Sequence, residues 1–287
     1  MKTHNRHLRQ SNNATYQKRQ TPFQDQQQQQ IQVRPGKVGI GEDYYDEEQD
    51  AVDRDKFYAT VKDSFESSDG QELYAELNKL VSRTHRPLGY KDARKHLYSE
   101  VDRRPDGGLY YLYSGEGPKQ EEEVKGPAQR ELGNYNCEHV VPQSWFQKAS
   151  TPRADLHHLF TEEVQCNGSR GNYPLEEVVE GESLPQCGLV QNEGDQGFEP
   201  HGGKGEVARA TLYFITRYPG EVGDADHESH YEDLQQLLEW HEKYPVTDYE
   251  RHRNDTIQDA QGNRNPFIDY PELARKVDFS RAIGHAS

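Results

Sequence analysis

Apolar residues along the chain recur at helical spacing for most of its length and at strand spacing in a few short runs. Phe57, Val61 and Phe65 share one helical face, and after Ser68 and Asp69 the set Leu73, Leu77, Leu80 and Val81 makes a second. Residues 90–101 predict a third helix with Tyr90, Leu97, Tyr98 and Val101 inward, and GLYYLYS at 108–114 predicts a strand after the turn at Pro105-Asp106-Gly107-Gly108. The polar stretch 115–131 reads as a surface loop. Farther on, 174–203 is rich in Gly, Glu and Pro and reads as a long irregular segment. Val207, Thr211, Phe214, Ile215 and Tyr218 then line one helix, and Tyr231, Leu234, Leu238 and His241 line another that ends before Pro245. A polar last helix is expected over 248–260, followed by a closing loop at 261–267.

Between these helices lies a different pattern. Residues 135–141 predict a short strand, which Pro142 stops because proline cannot donate to a central ladder. Residues 155–160 (DLHHLF) predict a second strand, with Thr161 as N-cap of a short helix reaching about 167–170. Neighbouring residues of a regular strand point to opposite faces, so Glu138 and His139 serve one site only where the pleat ends. In a strand, loop, strand, helix arrangement, Glu138 and Asn167 offer two oxygen ligands to one hard cation. Few protein ligands and several waters suit Mg²⁺. His139, neutral near pH 7, is then placed to take a proton from water.

These residues carry a family resemblance. NCEHVVPQSWF at 136–146, DLHHLF and CNGSRGNYP within 155–174, KGEVARATLYFITRYP at 204–219 and QGNRNPFIDYPEL at 261–273 together resemble the bacterial endonuclease I family over roughly 70–273. The resemblance implies a ββα-metal (His-Me) finger, with His139 as general base and Glu138 and Asn167 as metal ligands. It also implies Mg²⁺ as cofactor, with Mn²⁺ or Ca²⁺ as substitutes, and cleavage of DNA, often RNA as well, with little sequence preference. Secretion or periplasmic export is expected on the same ground, although MKTHNRHLRQ lacks the apolar core of a signal peptide.

Composition adjusts this picture. With 31% hydrophobic and 29% charged residues among 287 and a mean hydropathy of −1.16, the chain supports one sizeable core. The expected class is α+β: the finger embedded in a mostly helical single domain, 53–287, monomeric and without a membrane span. Residues 1–52 form an expected disordered, low-complexity tail holding the run Gln26 to Gln30. The tail passes from basic (Lys2, Arg6, Arg9, Lys18, Arg19 and Arg34 against Asp25) to the acidic EDYYDEEQD at 42–50. The net charge of −16 opposes a broad basic footprint, so nucleic acid must be gripped locally. Arg153 and Arg170 are candidate phosphate contacts, and Arg209 and Arg264 fit surface ion pairs better. His157 and His158 read as structural histidines.

Three cysteines leave at least one thiol unpaired within a monomer. Export, as in family members that act outside the cytoplasm, favours a bridge, and Cys166 with Cys187 is the expected pair, Cys137 with Cys166 its rival. The alternative function is a structural Zn²⁺ site in an interaction protein, built from Cys137, His139, Cys166 and one of His157, His158 or Cys187.

Overall fold

The acidic stretch before residue 53 turns out to open the fold. In a computed structural model that describes residues 44–116, 134–191 and 196–284, helix α1 (Glu47–Tyr58) begins inside the stretch assigned to the tail. Asp46 caps it by accepting the Gln49 amide at 3.0 Å, Asp50 receives Arg264 Nη2 at 2.6 Å, and the Tyr44 ring stacks on His252. Composition misses this because Tyr44 and Asp50 find their partners, His252 and Arg264, far away in sequence. The glutamine run and most of the 115–131 loop lie outside the described residues.

Helix α2 (Gly70–Thr84) is capped by Asp69, which accepts from the Gln71 and Glu72 amides, and buries Leu73, Leu77, Leu80 and Val81. Helix α3 (Tyr90–His96) passes into one π turn, Leu97–Val101, whose Leu97, Tyr98 and Val101 are buried. Residues 108–114 form no strand beyond an isolated bridge between Leu109 and Arg103. Their amides go elsewhere: Tyr111 donates to Glu116 O, Leu112 to Thr161 O and Tyr113 to the Glu162 carboxylate.

Strand β1 (Tyr135–His139) ends three residues before Pro142 and pairs antiparallel with β2 (Leu159–Glu163), Glu138 opposite Phe160 and His139 opposite Leu159. The intervening loop holds the single turn α4 (Ser150–Arg153). Residues 155–158 are not strand. Asp155 accepts the His157 amide at 3.1 Å and so caps a 3₁₀ turn, Leu156–His158, which delays β2 to Leu159. Helix α5 (Val164–Arg170) follows β2 directly. Its cap is Glu163, which accepts the Cys166 amide at 2.8 Å, while Thr161 stays within β2.

The 174–203 segment is more regular than its Gly and Pro content suggests: β3 (Glu182–Leu184), β4 (Gly188–Gln191) and β5 (Gly197–Pro200) make an antiparallel sheet in that order. A Cys166–Cys187 disulfide, Cα atoms 5.4 Å apart, ties this sheet to α5. Helix α6 (Lys204–Arg217) is buried over most of its length, and α7 (Leu234–Lys243) packs on it. Helix α8 (Asp248–Gln261) carries a capping box from Thr247 and Glu250, and α9 (Pro266–Asp269) is followed by a 3₁₀ helix, Pro271–Arg275. No helix among the described residues is long and apolar enough to cross a membrane.

Two apolar clusters result. The larger contains Val140, Val141, Trp145, Phe146 and Phe160 with the inner faces of α2 and α6. The smaller joins Ala93, Leu97, Tyr98 and Val101 to Tyr135, Leu156, Leu159 and Ile257. The β1–β2 hairpin lies between them, which is why Glu138 and Glu162 on one face and His139 on the other are all buried.

Candidate active site

Because the hairpin is covered on both sides, Glu138 and His139 are both buried, at 2% and 5% exposure, on opposite faces of the pleat. Glu138 Oε1 accepts the Tyr113 hydroxyl at 2.5 Å and lies 3.2 Å from Arg170 Nη1. Burial pushes its carboxyl above the ordinary range, opposed by the Arg170 charge and the Tyr113 bond.

Asn167, in α5, donates its amide Nδ2 to Asn136 Oδ1 at 2.7 Å. Asn136 can only accept with that oxygen, so the Asn167 carbonyl oxygen faces away from it. Asn136 and Glu138 share one face of β1, being two residues apart. The structure thus brings Asn167 to the face that carries Glu138. A carboxylate and an amide oxygen form a hard-donor set that fits a divalent oxygen-seeking cation.

On the other face, His139 Nε2 lies 3.1 Å from the Arg153 carbonyl and Nδ1 lies 3.3 Å from the Gln143 amide nitrogen. A carbonyl only accepts, so the proton sits on Nε2 and the Nδ1 lone pair is the basic atom. Burial, with the neighbouring His158, pushes His139 down to about 3, which keeps the ring neutral. The His158 and Tyr90 rings flank it, each with 5.5 Å between centroids.

Arg170 couples the two faces. It is 1% exposed and donates Nη1 to His139 O at 3.1 Å and Nη2 to Val140 O at 2.7 Å, besides facing Glu138. This corrects its reading as a phosphate contact, since no solvent-facing group is left to it. Arg153 differs: it is half-buried, its guanidinium stacks over Tyr90 at 4.2 Å, and its buried Nε has no hydrogen-bond partner among the described residues.

Arg209 and Arg264, read as surface ion pairs, are both buried. Arg209 is bidentate on Glu250, and Arg264 spans Asp50 and Asp269. The 261–267 loop is likewise a buried polar junction: Gln261 reaches Asp155, Asn263 reaches the Tyr213 hydroxyl and Asn265 reaches Arg209 O. The disulfide consumes two of the thiols of the zinc alternative, and the close grouping of Glu163, Cys166 and Cys187 is that bridge with a cap residue. Cys137 keeps a free, half-buried thiol, which burial pushes up to about 12 and which bonds the Tyr90 hydroxyl.

Tyr113, Gln143 and Glu162 escaped the sequence reading. The Tyr113 amide is held by the buried Glu162 carboxylate at 2.7 Å, which sets the ring whose hydroxyl reaches Glu138. The tyrosine-rich run 108–114 hinted at burial but not at this partner.

The family model described as Endonuclease I matches residues 69–272. The chain belongs to the endonuclease I family. It is therefore a nuclease, a hydrolase of phosphodiester bonds in a family of metal-dependent enzymes. An extracellular ribonuclease of Bacillus subtilis is 32% identical over 79% of this chain and 79% of its own length. The extracellular ribonuclease of Bacillus amyloliquefaciens is 34% identical over 72% of this chain and 74% of its own. A periplasmic deoxyribonuclease of Aeromonas hydrophila is 30% identical over 40% of this endonuclease I family chain and 47% of its own.

Proposed function

We propose that this chain is a Mg²⁺-dependent endonuclease that cuts RNA and DNA with low sequence specificity, with His139 as base and Glu138 and Asn167 as metal ligands. The single observation that carries the reading is the fixed tautomer of His139: a neutral imidazole with its basic Nδ1 set by a backbone carbonyl. The order β1, loop, β2, α5 then acts as a ββα-metal finger within a catalytic domain. The RNA reading leans on the two Bacillus relatives, whose matches cover more of this chain than the Aeromonas match does. The disulfide and the relatives' extracellular and periplasmic names support action outside the cytoplasm.

The residues divide the work as follows. Nδ1 of His139, whose lone pair the attacking water takes over from the Gln143 amide, accepts a proton from that water while Nε2 keeps its own on the Arg153 carbonyl. Glu138 and Asn167 would hold the cation, with Tyr113, Arg170 and Asn136 orienting them. The chemistry supplied by a bound Mg²⁺, Mn²⁺ or Ca²⁺ is stabilisation of charge on a phosphate oxygen and on the leaving alkoxide.

Digestion of plasmid DNA and of a structured RNA with and without EDTA tests this. His139→Ala should lower turnover by about 10²–10⁴-fold with folding intact, because only proton transfer is lost. Glu138→Ala and Asn167→Ala should raise the Mg²⁺ concentration needed for half-maximal cleavage. Cleavage that survives EDTA, or a fully active His139→Ala protein, would refute the mechanism.

A further inference from the structure

The Nδ1 edge of His139 is closed by Gln143. Nε2 is spent on the Arg153 carbonyl, and the polar contact of Nδ1 among the described residues is the Gln143 amide nitrogen, 3.3 Å away. An unprotonated Nδ1 can only accept, so the amide turns its N–H₂ toward the ring and its carbonyl oxygen away. The contact is longer than the usual N–H donor distance of about 2.9–3.0 Å, so water displaces it at little cost. The backbone beneath it is held far more firmly. Gln143 lies in a reversal after Pro142 in which Trp145 N donates to Pro142 O at 3.0 Å, Lys148 N to Gln143 O at 2.8 Å and Ala149 N to Phe146 O at 3.0 Å. Trp145 and Phe146 anchor this reversal in the larger apolar cluster. Gln147 and Lys148 both take left-handed backbone, φ 53° and 56°, although their side chains are exposed. Residues other than glycine enter that region at a cost, and two in succession persist only where the surroundings fix them. A rigid turn thus aims a half-buried, weakly tethered amide at the base.

We propose that Gln143 positions the attacking water: once displaced from Nδ1, its amide N–H donates to the oxygen of a water whose own O–H donates to Nδ1. Two such bonds of about 2.9 Å meeting at a tetrahedral oxygen set the nitrogens about 4.7 Å apart, so the amide retreats by about 1.4 Å. Side-chain rotation supplies that distance, and the turn keeps the amide from going farther. Water has two protons and two lone pairs. One proton faces Nδ1 and one lone pair accepts from Gln143, which leaves the second lone pair for phosphorus with its direction fixed by two contacts instead of one. In the resting enzyme the same amide satisfies a buried lone pair that is otherwise left bare. The inference deepens the nuclease reading and rests on His139 as the base, and Gln143 itself makes and breaks no covalent bond.

A double-mutant cycle tests this, with Gln143→Met keeping the length of the side chain and removing the donor. On plasmid DNA in Mg²⁺ the variant should lower kcat about 10-fold and leave KM unchanged, because the water and not the strand has lost a contact. In a His139→Ala background the same change should cost less than about 2-fold, since no oriented water is left to lose. A packing role would give the same factor in both backgrounds. The resting contact is read without metal: in EDTA, long-range ¹H–¹⁵N spectra should show an unprotonated Nδ1 in the parent, and loss of the donor in Gln143→Met should move that resonance downfield. A folded Gln143→Met protein with kcat within about 2-fold of the parent, equal factors in the two backgrounds, or an unshifted Nδ1 resonance would each overturn the assignment. A fully active His139→Ala protein would refute the base itself, whereas an impaired one beside an unaffected Gln143→Met would refute the water-positioning role alone.

Discussion

Arg170 is the residue on which the site geometry turns. Its guanidinium meets the Glu138 carboxylate and the carbonyls of His139 and Val140, so one side chain fixes the acid, the backbone of His139 and the strand end. Removing it strands a buried carboxylate. Arg170→Met should therefore cost about 3–5 kcal/mol in urea unfolding and lower turnover as well. Arg170→Lys should rescue little, because a single ammonium cannot span three oxygens in a plane. A Met variant within about 1 kcal/mol of the parent would contradict this role, given the usual cost of breaking a buried pair. The sequence already made the identity and spacing of Glu138, His139, Asn167 and Arg170 conspicuous. It could not tell which arginine stays accessible, because burial of Arg170 depends on the apolar layers that close over the hairpin from elsewhere in the chain. The same limit applied to Arg209 and Arg264, whose acidic partners lie far away in sequence.

At the level of elements, periodicity found the helices well, since α2 and α7 each bury one apolar stripe and α6 is buried over most of its length. It did less well where local hydrogen bonds outcompete a strand. Asp155 caps a 3₁₀ turn through DLHH, and the 108–114 amides are drawn to Glu116, Thr161 and Glu162. The β3–β4–β5 sheet escaped notice because its strands are three or four residues long and Gly188 sits at φ 156°, with Glu199 O packed against its α-carbon. This sheet reaches α5 through the disulfide, which closes a loop of sequence separation 21. Cys187→Ser should thus lower stability by roughly 3 kcal/mol in the chain-entropy model, and a reductant should produce the same drop in the parent. The urea midpoint with and without dithiothreitol checks it. No change on reduction would mean that the bridge does not constrain the unfolded chain.

For the whole molecule, acidity and internal ion pairing go together. Arg170, Arg209, Arg253 and Arg264 are all buried against carboxylates, so they add nothing to the outer field that meets a polyanion. The interior also sets the response to acid. Burial holds His157 and His158 down at about 4, below the ordinary value near 6.5. Between pH 6.5 and 4 the unfolded chain therefore binds more protons than the folded one, and stability must fall as pH falls through that window. Each shift corresponds to about 3 kcal/mol. Asp155 extends the loss at lower pH. Burial raises its carboxyl, but His85, His157 and Gln261 outweigh that and hold it well below the usual carboxylate range. Its contribution is present above about pH 4, the ordinary aspartate value, and disappears as pH drops toward the folded value. Urea midpoints at pH 7.5, 5.5 and 4 should decline in that order, and a flat series would rule out neutral buried histidines.

The group that selects which nitrogen of His139 carries the proton is a main-chain atom, the carbonyl of residue 153. Genetic variation acts on side chains, so every substitution at 153 leaves that oxygen in the gene product. Saturation mutagenesis at this codon reports on the guanidinium alone and is silent on the tautomer. The tautomer is exposed only to changes in the path of the chain, such as a deletion between 140 and 152 or replacement of Pro152, whose own carbonyl holds the neighbouring His158. Length and curvature of that loop are thus the heritable determinants of which nitrogen keeps its lone pair.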